Sequence, residues 1–150
     1  ERPSIFFFVD FYAAPRLVGV ERSDVSSIES ALDALITGPT AAERSERLVS
    51  AIPPGVTIDS TAPDVDGTVV LDANRALLDA DEARLTTALA QIVLTLTSHP
   101  EVRRVRILVE GAAHLWMLPG GDSTADALSP RDFEATNPAS PAAPVTTTGG

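Results

Sequence analysis

Cysteine and lysine are both absent from the 150 residues, and tryptophan, tyrosine and methionine occur once each. Without cysteine there is no disulfide framework and no thiolate metal site. The compartment stays open, because an exported domain with a large enough core needs no disulfide. No stretch approaches the roughly 18 apolar residues that cross a bilayer, so no transmembrane helix is expected. The basic residues are 11 arginines against 21 carboxylates, a formal net charge of −10. Such a surface repels phosphate backbones and anionic headgroups, which excludes nucleic acid and unaided membrane adhesion as expected partners. There is no G-x-S-x-G elbow and no glycine-rich phosphate loop. The two histidines, His99 and His114, have no ligand spacing between them.

What is present is a set of well-punctuated elements. Ile5–Tyr12 is aromatic and β-branched and predicts a buried strand. Ala13-Ala14-Pro15 breaks it, and Leu17–Val20 predicts a second strand that closes a hairpin. Val25 to Gly55 then organises the chain. Val25, Ile28, Leu32, Leu35 and Ile36 lie on one helical face, opposite Glu29, Asp33 and Thr37. Ser26 and Glu29 have the spacing of a capping box. Gly38-Pro39 stops the helix, a polar arm follows from Thr40 to Arg47, and Ile52-Pro53-Pro54-Gly55 stops the chain again. Val56–Ala62 and Thr68–Asp72 predict a second hairpin around Asp66-Gly67. Leu85, Ala88, Leu89, Ile92, Val93 and Leu96 form the stripe of a second helix, which ends at Ser98-His99-Pro100. Val102–Val109 and His114–Leu118 predict the last two strands.

The expected order is β-β-α-β-β-α-β-β. It predicts an α+β fold, a mainly antiparallel sheet with two amphipathic helices on one face. The domain is expected over residues 1–135. Thr136 to Gly150, rich in Pro, Ala, Thr and Gly, predicts a flexible tail.

No catalytic residue, metal ligand or cofactor site is singled out. Asp59, Asp64, Asp66, Asp72, Asp79, Asp81 and Glu82 are dense in sequence, but Asp64-x-Asp66-Gly67 is only a fragment of a calcium loop and reads as turn chemistry. A carboxylate pair assembled in space for glycoside hydrolysis is a third-ranked alternative. His99 reads as a cation at a helix C-terminus. Arg103, Arg104 and Arg106 form a basic cluster, either a solvated strand face or a partner-binding patch. Trp116 and Tyr12 could stack on a sugar, against the simpler packing of Trp116 on the second helix. Trp116, Tyr12, Arg104 and Arg106 are thus the candidate ligand or partner surface.

Several segments together resemble a GerMN domain, a module of sporulation and spore-germination proteins and of actinobacterial lipoproteins of the LpqB type. They are Ile5–Tyr12; A-L-D-A-L-I-T-G-P-T (Ala31–Thr40); L-V-S-A-I-P-P-G-V-T-I (Leu48–Ile58); and G-T-V-V-L-D (Gly67–Asp72). A-L-A-Q-I-V-L-T-L-T (Ala88–Thr97), H-P-E-V-R-R-V-R-I-L-V-E-G (His99–Gly111) and L-S-P-R-D-F (Leu128–Phe133) complete the set. The resemblance implies a fold similar to ring-building motifs and a non-enzymatic, extracytoplasmic interaction module of the cell envelope without cofactors. It implies a lipid anchor upstream of Glu1 or secretion, and an envelope protein or a second copy as partner. A domain that binds cell-wall glycan, peptidoglycan or a small ligand is the alternative. The all-arginine basic content fits an actinobacterial source.

Overall fold

The computed structural model describes residues 4–11, 14–21, 27–53, 55–118 and 123–136. Strand β1 (Ser4–Phe11) and strand β2 (Ala14–Glu21) form the expected hairpin, antiparallel from Ser4↔Glu21 to Phe11↔Ala14. Strand β2 starts three residues earlier than expected, and Pro15 lies inside it, opposite Asp10. The reason is positional. β2 is the edge of a three-stranded sheet ordered β2-β1-β3, with β3 at Leu48–Val49. Phe6 sends its backbone bonds away from β2, so Phe6–Gly19 is a non-hydrogen-bonded pair. By the two-residue alternation Asp10–Pro15 is another, and the missing N–H of Pro15 falls on the open side.

Helix α1 (Ile28–Thr37) buries Ile28, Ala31, Leu32 and Leu35 and exposes Glu29, Asp33 and Thr37. Its N-cap is Ser27, which accepts from the Ser30 N–H, while the Ser30 hydroxyl accepts from the Ser27 N–H in return. The capping box is therefore Ser27–Ser30 rather than Ser26–Glu29, and Ser26 and Val25 lie outside the described residues. A serine hydroxyl at N3 is short enough to reach back, and Glu29 is left to face the positive end of the helix. Gly38 ends α1 at φ 94°, ψ −176°, with its N–H donating to Ala34. Only glycine populates that backbone region freely. The polar arm contains helix α2 (Ala41–Ser45), capped reciprocally by Thr40 and Glu43, and β3 then returns the chain to β1.

Strands β4 (Ile58–Ser60) and β5 (Thr68–Ala73) are antiparallel, as expected. A 3-10 turn at Arg75–Asp79 buries Leu77 and leads into helix α3 (Glu82–Thr97), capped by Asp81. The chain returns as β6 (Arg104–Val109), parallel to β5 from Thr68↔Arg104 to Ala73↔Val109. A crossover helix between neighbouring strands requires that parallel pair. Glu110 and Gly111, both at positive φ, make a tight turn into β7 (Ala112–Ala113), which closes the sheet order β4-β5-β6-β7. The pairing partner of β6 is thus Ala112–Ala113 and not His114–Leu118. Strand β8 (Trp116–Met117) pairs instead with β9 (Ser123–Thr124). A two-residue turn brings Ala112 straight back onto β6, and Trp116 then leaves the sheet to enter the core.

The fold is α+β with mostly antiparallel pairing, as the sequence predicts. Its arrangement is more enclosed than a sheet with helices on one face. Every residue of α3 from Thr87 to Leu96 is buried. The helix packs on β1, β6, α1 and the C-terminal 3-10 segment Pro130–Thr136, which places Phe133 in the core. Two of the polar residues that α3 carries inward, Gln91 and Thr95, bond to backbone groups of neighbouring segments. Thr95 Oγ1 accepts from the Phe6 N–H at 2.9 Å. Gln91 Nε2 donates to the Phe6 carbonyl at 3.1 Å and to Ser50 Oγ at 3.3 Å. Gln91 Oε1 accepts from the Ala51 N–H at 2.7 Å. Of the expected tail Thr136–Gly150, Thr136 ends the 3-10 segment, and residues 137–150 lie outside the described residues.

Candidate functional site

Of the four residues singled out as a possible binding surface, Trp116 is 1% exposed. Its indole N–H donates to the Ile107 carbonyl at 3.1 Å, and its ring lies 4.4 Å from that of His114. A sugar would need an open aromatic face, and Trp116 presents none; packing next to α3 accounts for it. Tyr12 lies outside the described residues.

Arg104 and Arg106 stand on the outward side of β6. Val105, Ile107 and Val109 alternate inward, so Arg104, Arg106 and Leu108 face out. The parallel register sets Thr68, Val70 and Asp72 of β5 beside them, and β4 adds Asp59 next to Asp72. Neither arginine has an ion pair or a hydrogen-bonded side chain among the described residues. Asp72 does have a role, since one carboxylate oxygen accepts from the Gly111 N–H at 2.8 Å and fixes the β6–β7 turn.

A cleft of about 590 Å³ opens at one end of this sheet, between the β4–β5 turn and the α3–β6 loop. Asp64, Asp66 and Glu101 line it together with Arg103 and Arg104, and Val65 and Pro100 form its apolar parts. Both walls are fixed. Asp64 Oδ1 accepts from the N–H groups of Asp66 and Thr68 at 2.8 and 3.0 Å. The Gly67 carbonyl accepts from Arg103 at 2.7 Å and Arg104 at 3.2 Å, which ties one wall to the other. Gly67 sits at φ 80°, and a Cβ there would lie 2.8 Å from Arg103 Cγ. The glycine therefore serves both the turn and the close approach of the arginine stem.

The sequence presents the acidic turn and the arginines as separate features. Their meeting depends on the parallel pairing of Thr68 with Arg104, which no local pattern announces. Among the described residues no group of three or more His, Cys, Asp or Glu is placed to hold a metal ion. His99, expected as a cation at the helix C-terminus, lies just past the end of α3 but is 3% exposed, and neither ring nitrogen has a hydrogen-bond partner. Two tight backbone bonds, His99 N–H to Leu96 and Val102 N–H to His99, fold the helix end inward and carry the ring with it.

A family model described as "Germane: Sporulation and spore germination" matches residues 5–114. Three solved structures are similar over most of the chain. The tandem GerMN domains of the sporulation protein GerM from Bacillus subtilis align with a TM-score of 0.64 and 21% identity, covering 87% of this chain and 46% of that one. The first GerMN domain of the same protein aligns with a TM-score of 0.63 and 20% identity, covering 87% of this chain and 97% of that one. A Clostridium perfringens protein described as a lipoprotein aligns at 0.58 and 19%, with 89% of each chain covered. The chain thus spans less than half of the tandem protein and nearly all of its first domain. At these identities the likeness is one of fold. No curated protein matches the sequence.

Proposed function

Because the chain belongs to the Germane family of sporulation and spore germination domains, we propose that it is a non-catalytic interaction module of the bacterial envelope, which binds a protein partner or a second copy through the outward face of β4–β7. The supporting observation is the pair Arg104 and Arg106. Among the described residues they are cations without a side-chain partner, on a partly exposed strand face of a chain with net charge −10, interleaved with Val70 and Leu108. Arginines beside apolar residues are a common centre of protein interfaces. The exposed side chains of Leu115 and Met117 add apolar surface close behind β7 in the chain. A mixed partner surface suits such a patch, with carboxylates opposite the two arginines and basic groups around them, because the net charge of −10 repels a uniformly anionic surface.

An extracytoplasmic location is part of the same reading. It is supported by the fold shared with a lipoprotein of Clostridium perfringens and by the family's link to sporulation. No helix among the described residues is long and apolar enough to cross a membrane; a lipid anchor upstream of Glu1 belongs to the same proposal. The all-arginine basic content fits a high-GC bacterial source, in keeping with the actinobacterial branch of such lipoproteins.

Pull-down from envelope extracts, together with size-exclusion light scattering, tests the proposal. The wild-type domain is expected to retain a partner or to dimerise, and R104E/R106E to lose this with an unchanged circular dichroism spectrum. A strict monomer that retains nothing, or equal retention by the charge-reversed variant, overturns it.

A further inference from the structure

The cleft at the end of the β5–β6 pair places opposite charges on a fixed frame without letting them neutralise one another. Three carboxylates and two guanidinium groups line the same space, and no ion pair forms between them. Their separation is built in. One oxygen of Asp64 is engaged within its own turn, and the Arg103 stem is seated on Gly67. The backbones of the two walls are cross-linked through the Gly67 carbonyl, so a ligand has only the side chains left to order. The space is open to solvent and mostly polar, and every residue that lines it except Gly67 is exposed, so recognition there rests on charge rather than on enclosure.

We propose that this cleft binds a small zwitterion of the amino-acid or short-peptide class. Its carboxylate meets Arg103 and Arg104, and its ammonium meets Asp66 and Glu101. A simple anion would face three carboxylates as well as the arginines, and a simple cation would face two guanidinium groups. A ligand with both charges satisfies each wall, and arginine recognises a carboxylate through paired N–H donors. The charge of the whole chain points the same way, because a net charge of −10 repels anions at a distance and leaves a neutral zwitterion unaffected. Val65, fully exposed at the tip of the turn, supplies an apolar lip for the carbon skeleton between the two charges. Arg104 belongs both to this cleft and to the partner-binding face proposed above, whereas Asp66, Glu101 and Arg103 belong to the cleft alone, so E101Q tests the cleft without touching that face.

An NMR titration with tri-alanine bearing free termini tests the assignment. Saturable amide shifts are expected at Asp66, Gly67, Arg103 and Arg104. Acetylating the amino end or amidating the carboxyl end should each weaken binding about tenfold, the effect of one charge-assisted contact. E101Q and R104Q change exposed side chains with no protein partner and should weaken it to a similar degree with an otherwise unchanged spectrum, whereas E29Q on the exposed face of α1 should not. Absence of saturable shifts at tens of millimolar peptide overturns the proposal. So does binding that is indifferent to capping, or equal in E101Q, R104Q and wild type.

Discussion

Replacing Gln91 with leucine would take three hydrogen bonds out of the core while keeping the side-chain volume close to its original value. The Ala51 N–H and the Phe6 carbonyl would each lose their side-chain partner in the interior. An orphaned buried group costs about 1–3 kcal/mol. Ser50 Oγ still accepts from the Ile52 N–H, so its share is small. The two orphans together cost about 2–6 kcal/mol, and the extra apolar area of leucine offsets about 1 kcal/mol. A net loss of about 3 kcal/mol is a large part of the roughly 5–15 kcal/mol that holds a domain together. It corresponds to a fall in Tm of roughly 10 °C. Urea unfolding followed by circular dichroism and by Trp116 fluorescence would show a lower midpoint with an unchanged slope. Amide exchange would quicken at Ala51 above the general rise. Q91E should be worse than Q91L at neutral pH, because a carboxylate would face the Phe6 carbonyl in a buried site. It should regain part of the loss as pH falls, since a protonated carboxyl can again donate to Phe6. A change below about 0.5 kcal/mol in Q91L, within the range of surface substitutions, with Ala51 protection intact, would refute the role given to Gln91.

Three further outcomes follow from single contacts. G67A is expected to lose about 2–4 kcal/mol and G38A about 1–3 kcal/mol, both from backbone strain but only the former from a clash, because nothing lies within 4 Å of a Cβ at Gly38. Adding R103A, which removes the Cγ at 2.8 Å but keeps the Cβ at 3.1 Å, should therefore recover part of the loss in G67A and none in G38A, measured by thermal unfolding. H99L removes two buried nitrogens without a partner and should be neutral or stabilising by up to about 2 kcal/mol; a loss above about 1 kcal/mol in urea titration would mean that the imidazole is hydrogen-bonded in solution. Trp116 emission should be blue-shifted, resistant to acrylamide and unmoved by soluble glycan fragments, and quenching like that of a free indole would contradict its burial.

Much of the fold is legible in short-range chemistry. Gly38-Pro39 and Thr40–Glu43 mark the end of one helix and the start of the next, and the alternation in Val105–Val109 separates inward from outward residues on β6. Local patterns fail where the answer depends on what lies across the gap. Thr87, Gln91 and Thr95 look like the polar flank of an amphipathic helix, yet they are buried, and two of them find backbone groups on β1 and near β3. Pro15 looks like a breaker until the edge position of β2 is known. The cleft is harder still. Asp66 and Arg104 lie 38 positions apart, and only the length of the α3 crossover and the parallel register bring their loops together.

The contacts that Phe6 makes with Gln91 and Thr95 have a bearing on aggregation. Strand β1, S-I-F-F-F-V-D-F, has the composition of a segment prone to cross-β assembly. One of its edges is covered by β2, but β3 covers the other only at Phe8 and Val9. At Phe6 the remaining donor and acceptor are occupied by side chains of a helix, which stop a foreign strand from adding there. A species in which β1 and β2 have paired but α3 has not docked would therefore carry a sticky, half-built template. Concentration-dependent loss of the protein should track the docking rate of α3, and substitutions at Gln91 or Thr95 should lower the soluble yield by more than their equilibrium cost.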